Sequence, residues 1–163
     1  MDRKKFISTC GKSCLVILGG GFSILQSCAG SQYVSAEILG SEMIVPITSF
    51  QTEKKGALTF RKYVIAHHEK LQYPICIYRI SDTKYHALLM RCTHQGTELQ
   101  VFGDRLQCPA HGSEFSTTGS VQNGPAEISL RTFPVTIENE NLKIILTWDT
   151  LHLLSFSYWF LGI

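Results

Sequence analysis

The sequence has no apolar segment as long as a typical transmembrane helix. Its N-terminal apolar run, residues 14–25, contains twelve residues, whereas a helix that spans a bilayer needs about 20. A basic segment, MDRKKF, precedes this run, and LQSC follows it. A basic segment followed by a short apolar run is typical of an export signal, which we assign to residues 1–27. An uncleaved membrane anchor is the alternative interpretation.

Basic residues are too few and too unevenly placed to form a nucleic-acid-binding surface. The formal net charge is +2, but the first 27 residues carry +3, and the rest of the chain has 11 Lys and Arg against 12 Asp and Glu. No basic stripe with interleaved aromatic residues is present. We therefore expect no nucleic-acid partner.

The six cysteines leave no obvious pair for a structural disulfide, although export would permit one. Two lie in the export signal, two lie in a motif with histidines, and Cys76 lies in an apolar strand, where a core position is expected. Cys28 ends LQSC, which resembles a bacterial lipobox, and RKKFI resembles a twin-arginine signal with lysine for the second arginine. We therefore predict lipidation at Cys28, in a lipoprotein of the cell envelope that is tethered to a membrane and faces the periplasm.

Sustained helical periodicity is absent as well. Short runs rich in Ile, Val, Tyr and Phe alternate with Gly, Pro, Asn and Asp, which predicts an all-β fold. The sequence ENEN between two alternating runs predicts a hairpin. We place the folded domain at residues 43–146, after a small, polar tether at residues 28–42. Residues 147–163 form an apolar, aromatic tail, which either packs on the domain or docks on a membrane or a partner.

The stretch CTHQGTELQVFGDRLQCPAHGS contains the residues with metal-ligand chemistry. Cys92 and His94 form a C-x-H pair, Cys108 and His111 form a C-x-x-H pair, and thirteen residues separate His94 from Cys108. Zinc accepts two cysteines and two histidines, so a structural zinc module is one interpretation. Mixed pairs on two loops also suit a binuclear iron–sulfur cluster, in which two thiolates hold one iron and two imidazoles hold the other.

The two halves of this motif, CTHQG and CPAHGS, resemble the cluster-binding loops of Rieske [2Fe–2S] proteins, and GPA at residues 124–126 resembles their third, proline-bearing loop. The resemblance implies an antiparallel β-sandwich with a small cluster-binding subdomain, whose loops cover about residues 91–126. It also implies one [2Fe–2S] cluster, with two ligands on an inner iron (Cys92 and Cys108) and two on an outer iron (His94 and His111). Supporting residues around the cluster would be Gly96, Ser113, Phe115, Gly124 and Pro125.

The sequence departs from the Rieske proteins of respiratory complexes at three positions. Those proteins carry a disulfide between cysteines at the positions of Thr97 and Ala110, and neither cysteine is present here. They also carry a tyrosine at the position of Phe115, whose hydroxyl bonds to a ligand sulfur. Ser113 is retained and can still donate to a bridging sulfide. Because hydrogen bonds to cluster sulfurs favour the reduced state, the loss of one is expected to lower the reduction potential.

No nucleophile elbow, H-E-x-x-H pair or mononuclear metal site is evident, so the sequence predicts an electron carrier, not a self-sufficient enzyme. We expect electron transfer in the bacterial envelope, as a subunit or a tethered shuttle of a respiratory chain, with a redox protein, quinol or a c-type cytochrome as partner. The alternatives are the small Rieske subunit of an oxidase such as arsenite oxidase, or of a quinol-oxidising cytochrome complex. A cytoplasmic ferredoxin that serves an oxygenase is disfavoured by the export signal.

Overall fold

The computed structural model describes residues 32–146. The export signal, Cys28 and the apolar tail lie outside the described residues. The described residues form fifteen short strands and one 3₁₀-helix, Ile47–Phe50, with no α-helix among them. The strands are β1 Tyr33–Ser35, β2 Glu37–Leu39, β3 Glu42–Pro46, β4 Gln51–Lys54, β5 Ala57–Phe60, β6 Tyr63–His67, β7 Ile75–Arg79, β8 Tyr85–Leu89, β9 Gln100–Phe102, β10 Arg105–Gln107, β11 Glu114–Ser116, β12 Val121–Asn123, β13 Thr132–Phe133, β14 Val135–Glu138 and β15 Asn141–Ile145. The prediction of an all-β fold is confirmed.

Two sheets form a sandwich around the larger hydrophobic core. One sheet has the order β1-β6-β7-β8-β13, and the other has the order β14-β15-β3-β2. Their inward side chains, among them Val45, Ile77 and Ile144, are fully buried, and Phe50 of the 3₁₀-helix packs in the same core. Pairing is antiparallel throughout these sheets except between β1 and β6, which run parallel.

The predicted tether is too long at its C-terminal side. Residues 33–39, which we expected to belong to the tether, form β1 on one sheet and β2 on the other. The reason is a period of two in the sequence YVSAEIL, which directs Val34, Ala36 and Ile38 toward the core of the sandwich. The small residues around them concealed this pattern.

A four-stranded sheet of order β12-β11-β10-β9 forms a second, smaller layer with its own hydrophobic core. Strand β7 serves both cores, because Ile75 and Ile77 face the sandwich while Cys76 and Tyr78 face the smaller core. The predicted core position of Cys76 is confirmed, and burial raises the pKa of its thiol to about 12. The shared sheet thereby fixes the small subdomain on the sandwich.

The predicted hairpin at ENEN is β14–β15. Its two-residue turn is Asn139-Glu140, and both residues have positive φ, 49° and 61°. Such a turn matches the right-handed twist of the flanking strands. Within residues 32–146, no helix is long and apolar enough to cross a membrane.

Candidate metal centre

Two loops of the small subdomain carry the four candidate ligands. The first loop leaves the five-stranded sheet after β8 and leads to β9, and the second joins β10 to β11. Because Gln100 at the start of β9 pairs with Gln107 at the end of β10, the two loops meet the small sheet at the same end. The sequence-predicted pairs, Cys92 with His94 and Cys108 with His111, therefore lie in the same subdomain.

Each loop is closed by the same pair of backbone hydrogen bonds. In the first loop, Gly96 N donates to Cys92 O at 2.8 Å, and Cys92 N donates to Thr97 O at 2.8 Å. In the second loop, Gly112 N donates to Cys108 O at 2.9 Å. Cys108 N completes that pair by donating to the carbonyl oxygen of the residue after the glycine, at 2.8 Å.

A glycine is required four residues after each cysteine because the backbone there is left-handed. Gly96 has a φ of 77° and Gly112 has a φ of 76°, a region that other residues adopt only with strain. The shared C-x-x-x-G spacing of CTHQG and CPAHG thus encodes two equivalent turns. Gly96, one of the predicted supporting residues, forms the first of these turns.

The cysteines point inward and the histidines point outward. Cys92 and Cys108 are each 1% exposed and belong to the smaller hydrophobic core. His94 and His111 are exposed, and their ring centroids are 5.0 Å apart at an interplanar angle of 86°. The arrangement is therefore a buried pair of thiols beside an exposed pair of imidazoles.

The environment of Cys108 favours its thiolate form. Burial opposes ionisation, but hydrogen bonds from the backbone N–H groups of His111 and Ala110, together with the side chains of Cys92 and Thr97, lower the pKa of the Cys108 thiol below its ordinary value. A thiolate is the form in which cysteine binds metal.

Thr97 makes a contact with the second loop that the sequence did not reveal. The sequence marked it only as a position where respiratory-complex relatives have a disulfide cysteine. In the structure its hydroxyl in the first loop interacts with Cys108 in the second. The two loops thus approach each other at the position where those relatives carry the disulfide.

The third loop is tied to both ligand loops. Ala126 N donates to Ser113 Oγ at 3.1 Å, and the Ser113 side chain is fully buried. Thr93 Oγ1 donates to Ile128 O at 2.6 Å. The predicted supporting residues Gly124 and Pro125 immediately precede Ala126 and are exposed. Thr93 was missed by the sequence analysis, since a threonine between two candidate ligands carries no specific signal.

Phe115 lies on β11, opposite Leu106 of β10 and Val121 of β12. It is fully buried in the core that contains both candidate ligand cysteines. Its ring therefore packs in the hydrophobic core next to the site and supplies no hydrogen-bond donor. Within residues 32–146, no three His, Cys, Asp or Glu side chains are grouped to hold one metal ion.

The donor set suits two metal atoms with two ligands each, because thiols pair with thiols and imidazoles with imidazoles. Residues 52–134, about half of the chain, match the family model of the Rieske [2Fe–2S] domain. The chain belongs to the Rieske [2Fe–2S] domain family. The cofactor of this Rieske domain is one [2Fe–2S] cluster, and the domain transfers electrons.

Curated relatives of the Rieske domain include subunits of a cytochrome complex. The chain is 38% identical over 61 residues to the cytochrome b6-f complex iron-sulfur subunit of Synechococcus sp. (strain WH7803). This aligned segment covers 36% of this chain and 34% of that protein. It is 34% identical over 59 residues to the corresponding subunit of Synechococcus elongatus, and this segment covers 35% of this chain and 33% of that protein. The chain thus matches about a third of the length of these relatives.

Solved structures with partial similarity include a Rieske protein and a ferredoxin. The cyanobacterial plasma membrane Rieske protein PetC3 from Synechocystis PCC 6803 matches at 26% identity and a TM-score of 0.45, over 51% of this chain and 85% of that one. The ferredoxin of Sphingomonas yanoikuyae B1 matches at 28% identity and a TM-score of 0.42, over 53% and 86%.

Proposed function

We propose that Cys92, His94, Cys108 and His111 are the cluster ligands, with the cysteines on the inner iron and the histidines on the outer iron. The observation that carries this proposal is the pairing of two buried thiols with two exposed imidazole rings 5.0 Å apart. When bound, the cluster takes up and releases one electron. Because their imidazoles are exposed, His94 and His111 would be the ligands accessible to a redox partner.

The surrounding residues fit this assignment. Backbone N–H groups of the second loop stabilise a thiolate at Cys108, and the Thr97 hydroxyl adds a donor from the first loop. The Ser113 hydroxyl accepts from Ala126 N and carries one proton of its own, which is available for a cluster sulfur. These donors favour the more negative, reduced state, while Phe115 contributes none.

The protein is proposed to work in the bacterial cell envelope, as a respiratory-chain subunit or a lipid-tethered shuttle whose partner is a redox protein such as a c-type cytochrome. The sequence LQSC after the apolar run supports a lipid anchor at Cys28. The similarity to cytochrome b6-f iron-sulfur subunits supports a second candidate, a subunit of a quinol-oxidising complex. Thr97 and Phe115, which replace the disulfide cysteine and the tyrosine of respiratory-complex Rieske proteins, favour the lipid-tethered shuttle over a subunit of such a complex.

The function is tested by measuring electron uptake by the purified protein and electron transfer to a protein acceptor. We expect reversible uptake of one electron per chain at a potential within the Rieske range of about −150 to +300 mV. The anaerobically reduced protein should then reduce an oxidised c-type cytochrome in stopped-flow mixing. A protein that takes up no electron in this range, or that takes one up but passes it to no protein acceptor, would contradict the proposed function.

Lipidation at Cys28 predicts a specific mature N-terminus. Mass spectrometry of membrane-extracted protein is expected to find a diacylglyceryl-modified chain that begins at Cys28. Cys28→Ala should prevent this modification and release or mislocalise the protein, whereas Cys14→Ala, within the export signal, should leave the mature chain unchanged. An intact Met1 on envelope-localised protein would instead identify an uncleaved anchor.

Phe115→Tyr is expected to raise the reduction potential, because the added hydroxyl restores a donor next to the ligand cysteines. One such hydrogen bond contributes about 1 kcal/mol. On a one-electron scale of about 59 mV per tenfold change, this corresponds to a few tens of millivolts. Film voltammetry measures the shift, and Phe102→Tyr, on an exposed side chain, is the matched control. An unchanged potential with an intact cluster would show that the hydroxyl does not reach a ligand sulfur.

A further inference from the structure

The candidate ligand loops lie at one end of the five-stranded sheet. In the antiparallel pair β7–β8, Ile75 is opposite Leu89 and Arg79 is opposite Tyr85. The first ligand loop leaves the sheet just after Leu89 and reaches Cys92 three residues later. The other end of the sheet, at Arg79 and Tyr85, therefore lies about one five-residue strand, roughly 16 Å, away from the end that carries the candidate ligands.

The β4–β5 hairpin is attached to that remote end. Its second strand ends at Phe60, and β6 starts at Tyr63, which pairs with Tyr78. The guanidinium of Arg79 lies over the Phe60 ring, 4.4 Å from its centroid. Strands β4 and β5 pair only with each other among the described strands. The hairpin is thus a separate two-stranded element at the end opposite the ligand loops.

One face of this hairpin exposes large apolar side chains. The register pairs Gln51 with Phe60 and Glu53 with Leu58, so these four residues share a face. On that face Leu58 is 63% exposed and Phe60 is 45% exposed. Ile80, directly after Arg79 at the same end of the sheet, is also exposed.

Positive charge is concentrated on the same segment. Residues 51–62 contain four basic residues and one acidic residue, a net +3, although residues 32–146 as a whole carry equal numbers of basic and acidic residues. The basic residues are Lys54, Lys55, Arg61 and Lys62. Lys54 and Lys55 are exposed at the hairpin tip, where Lys55 and Gly56 form the turn. Apolar side chains and lysines thus project from one small element.

We propose that the β4–β5 hairpin binds the surface of a bilayer that contains anionic phospholipid. Each lysine near such a surface adds favourable electrostatic energy, and exposed apolar side chains enter the boundary between headgroups and acyl chains. Leu58 and Phe60 supply the apolar component, and Lys54 and Lys55 supply the charge. Lys54 lies on the other face of the hairpin and Lys55 lies in its turn, so the positive charge is at the hairpin tip, next to the apolar face that also carries Glu53. A bilayer is favoured over an acidic protein partner because a bilayer surface accepts both exposed apolar side chains and nearby lysines. With the hairpin on the membrane, the ligand loops face the aqueous phase.

The test uses the full chain on vesicles of phosphatidylcholine with and without phosphatidylglycerol. Hydrogen exchange of the amides in residues 54–59 is expected to be about fivefold slower or more on vesicles that contain phosphatidylglycerol. A factor of about five corresponds to the binding energy that one lysine gains near an anionic surface. Residues 92–96 and 108–112 should show no such protection. Because exchange is read locally, binding by the N-terminal segment does not obscure the result.

Two variants with the same change in composition separate the hairpin from the rest of the surface. Lys55→Gln/Leu58→Ser should lose the protection, whereas Lys70→Gln/Leu39→Ser should keep it. Leu39 is 64% exposed and thus matches Leu58. Equal exchange on both vesicle types, or full protection in the Lys55/Leu58 variant, would overturn the proposal. Protection in native membranes but not on protein-free anionic vesicles would identify a protein partner and would also overturn it.

Discussion

Alanine at any one of Cys92, His94, Cys108 or His111 is expected to abolish the cluster, its visible colour and its reduced-state EPR signal. Each iron of a Rieske cluster has two protein ligands, so the loss of one leaves an iron with a single protein ligand. The exposed histidines make this a sharp expectation, because truncation of an exposed side chain otherwise changes stability by only about 0.5 kcal/mol or less. Iron analysis and EPR of each purified variant measure the loss.

The controls for this prediction are a cysteine and a histidine of the same domain with no proposed ligand role. Cys76→Ala removes a buried thiol from the same small core, and His67→Ala removes an exposed imidazole at the end of β6. Both variants should keep the full iron content. Retention of the cluster after substitution of His94 or His111, or its loss in both controls, would contradict the ligand assignment.

Gly119→Ala is expected to destabilise the domain strongly. Gly119 has a φ of 84°, and a Cβ at this position would lie 3.1 Å from Leu88 Cδ2 and 3.4 Å from both Cβ and the carbonyl oxygen of Leu130. A left-handed backbone costs an L-residue about 1–2 kcal/mol. Overpacking of a core adds about 1–3 kcal/mol. The neighbours have little freedom to move, because Leu88 is fully buried and Leu130 N donates to Gly119 O at 2.8 Å.

Gly103→Ala separates the two contributions. Gly103 also has a positive φ, 64°, but no heavy atom lies within 4 Å of a Cβ placed there. It should therefore show only the backbone strain, and the free energy of unfolding should fall less than in Gly119→Ala. Denaturant unfolding of both variants gives the comparison. Equal losses would show that the contacts with Leu88 and Leu130 relax at no cost.

The candidate ligands could be identified from the sequence because their spacing is local. The pairs Cys92/His94 and Cys108/His111 each lie within four residues, and a glycine follows each cysteine at the same distance. The all-β fold could also be predicted, since short β-rich runs and turn residues alternate along the chain.

Other features depend on distant contacts and could not be predicted. Strand β1 pairs in parallel with β6, about thirty residues later, and small residues around Val34 and Ile38 made this segment resemble a tether. The contact of Thr97 with Cys108 arises only when the two loops meet. Local patterns contain no information on such pairings, because the partner residue is chosen by the packed fold.

The presence of a [2Fe–2S] cluster is measured by iron and acid-labile sulfide analysis of the natively isolated protein. We expect two irons and two sulfides per chain for the one [2Fe–2S] cluster of the domain. We also expect an EPR signal in the reduced state whose average g-value lies well below that of the free electron. Stoichiometric zinc in freshly isolated, colourless protein, with neither iron nor sulfide, would contradict this expectation.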